Sequence, residues 1–141
     1  MKKVILMFIV LFLAACGSNT IDLKDVGTIR INDIKLSPQT ATIDEDGYLN
    51  VTVKWTRGTD EDSMNKATFA QSGILFFAEQ DGQELESITD NSTRMFDEVY
   101  DTTENNLYLK FKLENEDNDV EITVQDVVDE TGETFTVEIN K

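Results

Sequence analysis

The protein has 141 residues, a formal net charge of −16, a single cysteine and no histidine. The lack of histidine removes the most common general base and zinc ligand, and one cysteine cannot form a disulfide within the chain. A surface this acidic repels nucleic acid and anionic lipid, so neither is an expected ligand.

The first 15 residues have the pattern of an export signal. Lys2 and Lys3 precede a run of 12 apolar residues at positions 4–15. As a helix, this run would reach about 18 Å, which is well short of the roughly 30 Å hydrocarbon core of a bilayer. We therefore expect residues 1–15 to be a signal peptide and not a membrane span.

Cys16 follows this run directly, and the sequence LAAC at positions 13–16 resembles the lipobox of bacterial lipoproteins. The resemblance implies cleavage between Ala15 and Cys16 and a covalent diacylglycerol on the Cys16 thiol. Two acyl chains anchor a protein firmly, since each buried CH₂ contributes about 0.8 kcal/mol. The alternative is an ordinary secreted protein with an incidental cysteine. Position 17, directly after the expected anchor, is glycine and not the aspartate that retains a lipoprotein in the inner membrane. A Gram-negative cell could therefore deliver the protein to its outer membrane.

Removal of residues 1–15 takes away two of the 12 basic residues and none of the 28 acidic ones, which changes the net charge to −18. The remaining 126 residues are enough for one domain. We expect residues 16–27 to be a lipid-anchored tether and residues 28–141 to be the folded domain. Residues 17–26 span at most about 36 Å when extended, which keeps the domain close to the membrane.

Apolar and polar residues alternate along most of the remaining chain, and this pattern predicts β-strands with one buried face. Strands are expected within 27–36, 48–55, 74–78, 79–88, 106–113, 120–124 and 134–139. The shift of phase at Asn32-Asp33 is interpreted as a β-bulge. Trp55 shares its face with Val51 and Val53, which predicts core packing. The continuous apolar run at 74–78 indicates a strand buried on both faces.

About seven strands separated by polar turns predict an all-β protein, an immunoglobulin-like antiparallel β-sandwich. A closed barrel is the structural alternative. Asp46-Gly47, Asp81-Gly82 and Thr131-Gly132 are the expected turns. The irregular segment 57–73 is long enough to be functional, and one helical turn is expected around Ser63–Ala67.

Four quoted segments resemble a known family: DGYLNVTVKW (46–55), ILFFAEQDGQELE (74–86), NLYLKFKLENEDNDVEITVQD (106–126) and TFTVEI (134–139). With the lipobox, they resemble the small immunoglobulin-like domains of unknown function in surface lipoproteins of Gram-positive bacteria. The resemblance implies the sandwich fold and a position on the outer face of the membrane, and it implies no enzymatic activity. The chain departs from the family pattern at Arg57-Gly58-Thr59.

Acidic clusters raise the question of calcium, which takes six to eight oxygen ligands. The sequence TIDEDGYLNVTV has the Asp-x-Asp-Gly core of an EF-hand loop, but position 12 is Val53 and not glutamate, so an EF-hand is rejected. Two interpretations of the acidic clusters remain: a looser calcium site between loops, or a solubilising hairpin tip with its turn at Asp46-Gly47. The weak candidate ligands are Asp44, Asp46, Glu116, Asp117 and Asp119.

The segment STRMFDEVYDTT (92–103) holds the candidate binding residues, because arginine, methionine and aromatic residues are enriched at protein interfaces. These candidates are Arg94, Met95, Phe96 and Tyr100, together with Tyr108, which points away from the apolar face of its strand. The same segment could instead cap the core through Met95, Phe96 and Val99.

No enzyme is expected from these residues, because serine and cysteine nucleophiles lack a histidine partner and paired carboxylates are unspecific in so acidic a chain. We expect a non-enzymatic, monomeric module that binds a surface or secreted protein or acts as an accessory or protective domain. The alternative is a calcium-binding or calcium-stabilised surface module. No other cofactor is expected.

Overall fold

The structure, a computed structural model, describes residues 19–57, 66–100 and 103–140. The predicted signal peptide, its cleavage site and Cys16 lie outside the described residues. Residues 58–65 of the long crossover also lie outside them, so the helical turn expected around Ser63–Ala67 can be followed only at its end, where Lys66–Ala67 is a short strand.

Short and long strands make up the regular structure of the described ranges. The strands are β1 (Ile21–Asp22), β2 (Ile29–Ile31), β3 (Ile34–Ile43), β4 (Tyr48–Arg57), β5 (Lys66–Ala67), β6 (Ile74–Gln80), β7 (Gln83–Glu84), β8 (Val99–Tyr100), β9 (Asn105–Lys112), β10 (Val120–Asp126) and β11 (Gly132–Val137). Short 3₁₀ helices cover Lys24–Val26, Phe69–Ser72 and Asn91–Thr93. Among these described segments, no helix is long and apolar enough to cross a membrane.

Sheet 1 contains β3, β4 and β9 in that order, and all its pairings are antiparallel. Both β1 and β2 pair with the free side of β3, so together they form one interrupted edge strand. At the opposite edge, residues 86–88 lie along β9, where the Ile88 amide donates to the Lys110 carbonyl at 2.8 Å.

Sheet 2 has the order β11-β10-β6-β7, again with antiparallel pairings. The chain leaves sheet 2 at β7 and joins sheet 1 at 86–88, and the buried Leu85 marks the point of crossing. Within the described ranges the two sheets do not close into a barrel. The all-β antiparallel prediction is therefore confirmed, and the barrel alternative is wrong.

The core lies between the two sheets and is built from the alternate residues of each strand. In β4, Leu49, Val51, Val53 and Trp55 are all at most 2% exposed. The Trp55 ring meets Phe69 edge-on, with a centroid separation of 5.3 Å. Burial of so many large apolar side chains is the main source of stability in a domain without disulfides. The prediction that Trp55 packs in the core is confirmed.

Two local predictions were wrong. Asn32-Asp33 is the turn of a two-residue hairpin and not a bulge, since Ile31 pairs with Ile34 and Asn32 has a left-handed φ of 54°. A turn and a bulge shift the alternation in the same way, so the pattern could not separate them. The run at 74–78 is buried on one face only, and Leu75 is 42% exposed.

The folded domain begins earlier than the sequence predicted. Ile21 pairs with Ala41 in β3, and the Leu23 side chain is 3% exposed within the core. Residues 21–26, which were assigned to the tether, are thus part of the domain. Isolated two-residue strands leave no alternation to detect, so this boundary was invisible in the sequence.

One end of the sandwich, here called the acidic end, gathers the β3–β4 turn, the β6–β7 turn and the β9–β10 loop. Its carboxylates are Asp44, Glu45, Asp46, Asp81, Glu114, Glu116, Asp117 and Asp119. Because β1 runs antiparallel to β3, the chain also enters the domain at this end. The predicted turns at Asp46-Gly47 and Asp81-Gly82 are both found here, with φ of 77° at Gly47 and 54° and 76° at Asp81 and Gly82.

Candidate functional site

The opposite end of the sandwich exposes most of the large apolar side chains that remain outside the core, and we call it the apolar end. Its exposed residues are Leu75 (42%), Phe96 (64%), Tyr100 (49%), Val127 (53%) and Val128 (87%). Single exposed apolar residues are ordinary, whereas a concentration of them at one end of a domain is typical of an interaction site.

A short two-stranded sheet builds one part of the apolar end. β5 pairs with β8, which places Lys66 opposite Tyr100 and Ala67 opposite Val99. The Lys66 ammonium lies 5.8 Å from the centroid of the Tyr100 ring. This pairing joins the end of the 57–73 crossover to the 94–100 segment, so two regions that the sequence singled out separately are neighbours.

The turn that precedes β8 presents Phe96 to solvent. Asp90 accepts the Ser92 amide at 2.8 Å and begins the 3₁₀ helix, and Arg94 ends it with a left-handed φ of 61°. Arg94 then binds Asp97 at 2.8 Å. Hydrogen bonding and attraction to the Asp97 carboxylate, with a smaller effect from Tyr108, raise the pKa of the Arg94 guanidinium. The Asp97 carboxylate therefore holds the guanidinium in place within the turn.

The five candidate binding residues divide between core and surface. Met95 is partly buried against the core, and its carbonyl accepts the Ala70 amide at 2.9 Å, so Met95 caps the core. Phe96 and Tyr100 are exposed, as the interface interpretation requires. Tyr108 is 39% exposed on the outer face of sheet 1, which confirms its predicted direction.

The β10–β11 loop (127–131) supplies Val127 and the most exposed apolar residue of the described ranges, Val128, both of which the sequence analysis missed. Val127 lies beside Gly73, and the Val127 amide donates to the Gly73 carbonyl at 2.9 Å. Hydrogen bonds from the Thr131 hydroxyl and amide lower the pKa of the Asp129 carboxyl within the same loop. The sequence did contain a signal for this exposed site: Val127 and Val128 are adjacent apolar residues that follow a strand, and the alternation of that strand does not account for both.

A small cavity of the apolar end, of about 120 Å³, has a mainly polar lining. It lies between Trp55, Arg94, Asp97, Glu104 and Asn105. Small-molecule sites usually enclose 300–1,000 Å³ of mainly apolar space, roughly, so this cavity is better suited to a side chain of a partner than to a free ligand. This cavity of the apolar end therefore lacks the enclosed volume of a typical small-molecule site.

A larger groove, of about 800 Å³, lies along the edge between β1 and the end of β11. It is lined by residues 19–23, Asp25, Val26, Thr136, Glu138 and Ile139. This groove opens beside the entry of the chain, on the opposite part of the domain from the binding candidates.

The candidate calcium ligands lie at the acidic end but are largely engaged elsewhere. Asp44 accepts the amides of Asp46 and Tyr48, both at 3.0 Å, and the Asn50 side chain at 3.1 Å. Partial burial opposes its charge, but these hydrogen bonds outweigh that effect and lower the pKa of the Asp44 carboxyl. Asp119 accepts the Ile139 amide at 2.9 Å.

Glu116 approaches the β3–β4 turn at Gly47, but the Lys112 ammonium lies between these loops and donates to the Asp46 carbonyl. Among the described residues, no group of three or more acidic or cysteine side chains is close enough to hold a metal ion. Asp46, Asp117 and the other weak candidates thus share one end of the domain without forming a ligand set in those ranges.

No protein-family model matches the sequence, and no curated protein is detectably similar to it. The functional argument therefore depends on the residues and their geometry.

Proposed function

We propose that the chain is a lipid-anchored, extracytoplasmic module that binds another surface or secreted protein through its apolar end. Loops at one end of a sandwich are a common place for binding residues, because the two sheets hold them rigidly. The observation that carries the proposal is the position of Phe96, Tyr100 and Val128. They lie at the end of the domain opposite the entry of the chain, so an anchor at Cys16 leaves them free.

We also infer an immunoglobulin-like topology. In immunoglobulin constant-type domains, strands A-B-E-D form one sheet and C-F-G form the other. The order β3-β4-β9 followed by 86–88 corresponds to A-B-E-D, and β6-β10-β11 corresponds to C-F-G. The crossing of the chain from β7 to 86–88 supports the same correspondence.

The chemistry of the apolar end suits a protein partner. Phe96 and Tyr100 supply aromatic contact area, and Arg94 and Lys66 supply cations in a chain that is otherwise strongly acidic. Aromatic residues and arginine are the residue types that most often dominate binding energy at protein interfaces. Among the described residues of the apolar end, no group suggests a reaction, and we propose binding without catalysis.

Photo-crosslinking in intact cells tests the binding site. A photoreactive phenylalanine analogue replaces Phe96 or Val128, and a control replaces Glu116, an exposed residue of the acidic end. We expect crosslinked species that contain a second protein from positions 96 and 128 but not from position 116. Equal yields at all three positions, or no species at positions 96 and 128, would contradict the proposed surface.

Mass spectrometry of the protein from its native host tests the anchor. The proposal requires an amino terminus at Cys16 that carries a diacylglyceryl group, and Cys16→Ala is expected to prevent this modification. An intact amino-terminal segment with a free thiol would overturn the lipoprotein assignment but not the binding surface.

A further inference from the structure

The two sheets carry opposite charges. The strands of sheet 1 hold nearly all the strand-borne cations, which are Arg30, Lys35, Lys54, Arg57, Lys110 and Lys112, with Asp22 as their one acidic residue. The strands of sheet 2 contain no lysine or arginine, and their acidic residues are Glu79, Glu84, Glu121, Asp126 and Glu133. The net charge of the chain therefore hides a strong asymmetry between its faces.

Five of these cations project from the outer face of sheet 1, which we call the cationic face: Arg30, Lys35, Lys54, Lys110 and Lys112. Arg30 lies opposite Lys35 in the register of β2 and β3. Lys110 and Lys112 both approach the Tyr48 ring, at 4.6 and 4.4 Å from its centroid. The cations thus run diagonally across the sheet from one edge to the other.

Part of this charge is neutralised by carboxylates at the rim. Lys54 pairs with Glu104 at 3.4 Å, and Lys110 pairs with Asp44 at 3.9 Å. Arg30 and Lys35 are both exposed and form no ion pair with any described residue. The acidic residues on the edge strands of this face are Asp22 and Glu86. Asp90 also attracts Lys110, and Lys112 donates to the Asp46 carbonyl. Arg30 and Lys35 are therefore the cations of this face that no described residue pairs with.

The outer face of sheet 2 has the opposite character. Glu79 lies between Glu121 and Glu84 in the register of β10, β6 and β7, so three carboxylates are adjacent. Like charges directly opposite each other in a sheet repel and destabilise the pairing. A charged surface brought against sheet 2 would meet only negative charge from its strands.

The length of the tether limits how the domain can lie. Asn19 is the first described residue, and it is three residue steps from Cys16. Three steps span at most about 11 Å, whatever their conformation. A lipid on Cys16 would therefore hold Asn19, next to the start of β1 at the acidic end, close to the membrane.

We propose that the cationic face of sheet 1 rests on the anionic phospholipid head groups of the membrane that holds the anchor. This inference depends on the proposed lipid anchor at Cys16. An upright domain would press the acidic end against the lipid, and a domain lying on sheet 2 would press Glu79, Glu84 and Glu121 against it. Of these orientations, only contact through sheet 1 presents cations to the membrane.

The distance between the sheets explains why the charge of the contacting face, more than the net charge of the chain, determines the orientation on the membrane. Packed sheets lie about 10 Å apart, and the Debye length at physiological ionic strength is about 8 Å. Charges on the outer face of sheet 2 lie more than one Debye length further from a membrane that touches sheet 1, so they act on it more weakly than the cations in contact with it. In this orientation the apolar end points along the membrane surface, towards neighbouring surface proteins.

Lysine acetylation on vesicles tests the orientation with side chains that the protein already has. The full-length lipoprotein is bound to vesicles of phosphatidylcholine alone or with phosphatidylglycerol, and acetylation is measured by mass spectrometry. With phosphatidylglycerol we expect severalfold protection of Lys35 and Lys54 and no change at Lys66, which lies at the apolar end. High salt should remove the protection, because it screens the attraction. Equal reactivity of Lys35 and Lys54 on both lipids would overturn the inference.

Matched charge variants separate local charge from net charge. Lys35→Glu with Lys54→Glu should abolish the protection of Lys110 and Lys112, whereas Lys24→Glu with Lys66→Glu changes the net charge equally and should preserve it. Equal loss in both variants would overturn the assignment to sheet 1. An unmodified Cys16 in the mass analysis would contradict the anchor proposal alone. In that case the same chain is coupled through Cys16 to a maleimide lipid, and the acetylation pattern on vesicles still tests the orientation.

Discussion

The side-chain amide of Asn32 donates a 2.7 Å hydrogen bond to the carboxylate of Asp126, which lies 94 positions later in the chain. Asp126 ends β10, is 6% exposed, and also accepts the Val128 amide at 2.7 Å and the Asp129 amide at 3.3 Å. One buried carboxylate thus joins the β2–β3 turn to the base of the loop that exposes Val127 and Val128.

Replacement of Asp126 by alanine should lower the free energy of unfolding by about 2–3 kcal/mol, because it removes three hydrogen bonds that this buried carboxylate accepts. The same variant should accelerate hydrogen exchange at the Val128 amide and weaken crosslinking from position 128. Urea denaturation measures the first effect. Gln125→Ala, on the outer face of the same strand, is the control and should change stability by less than about 0.5 kcal/mol. Similar stabilities for both variants would contradict this role of Asp126.

Gln80 should be equally important at the acidic end. Its side chain is 1% exposed, donates to the carbonyls of Asn115 and Asn118, and accepts the amides of Glu114 and Asn115. Gln80→Ala removes all four hydrogen bonds and should cost about 2–4 kcal/mol in the free energy of unfolding.

The control for this prediction is Gln83→Ala, at an exposed glutamine of β7, which should be nearly neutral in the same urea titration. Amide exchange in the β9–β10 loop should rise only in the Gln80 variant. A Gln80→Ala protein with unchanged stability and unchanged exchange would show that the loop does not depend on this side chain.

The stability of the domain should depend on the ionisation of Asp44 in acid. Since the pKa of Asp44 in the folded state lies below the ordinary value of 3.8, its contribution is complete above about pH 3.8 and disappears as the pH falls through the folded value. Asp44→Asn should therefore cost about 1 kcal/mol at neutral pH and almost nothing at strongly acidic pH.

Thermal melts of the two proteins across this pH range measure the difference. Asp46→Asn is a suitable control, since among the described residues no donor is hydrogen-bonded to the Asp46 carboxylate. A difference between wild type and Asp44→Asn that stays constant with pH would contradict the assigned cause.

Millimolar calcium should leave the melting temperature of the domain unchanged. Asp44 already accepts three hydrogen bonds, and the Lys112 ammonium lies between the acidic loops, so a dication would have to displace both. Melts with calcium and with chelator measure the effect, because a ligand of the folded state raises the midpoint. A clear rise would instead favour the calcium-stabilised alternative, with Glu116, Asp117 and Asp119 as its first candidates.

Local pattern was enough to predict the long strands and their inner faces. Leu49, Val51, Val53 and Trp55 alternate with polar residues, and a pleated strand must put such a set on one side. The same rule placed Leu107, Leu109 and Phe111 in the core, and it placed Tyr108 outside. Glycine and aspartate at 46–47 and 81–82 predicted turns because left-handed backbone geometry favours them.

The candidate site was predictable only in part. Arg94, Met95, Phe96 and Tyr100 stood out by residue type, but their exposure depends on a turn held by Asp97 and on the pairing of β8 with β5. The pairing of β8 with β5 joins widely separated positions, and such a contact leaves no trace in a local sequence pattern. Val128 shares the apolar end with these residues only because β10 ends there.

The sequence by itself determined the class of the fold, the faces of its main strands and the expected lipid attachment at Cys16, because alternation and short motifs act over a few neighbouring residues. Only the tertiary structure decided which loops meet at each end and which sheet collects the cations. Arg30, Lys54 and Lys110 are scattered along the chain, and strand pairing alone brings them onto one face.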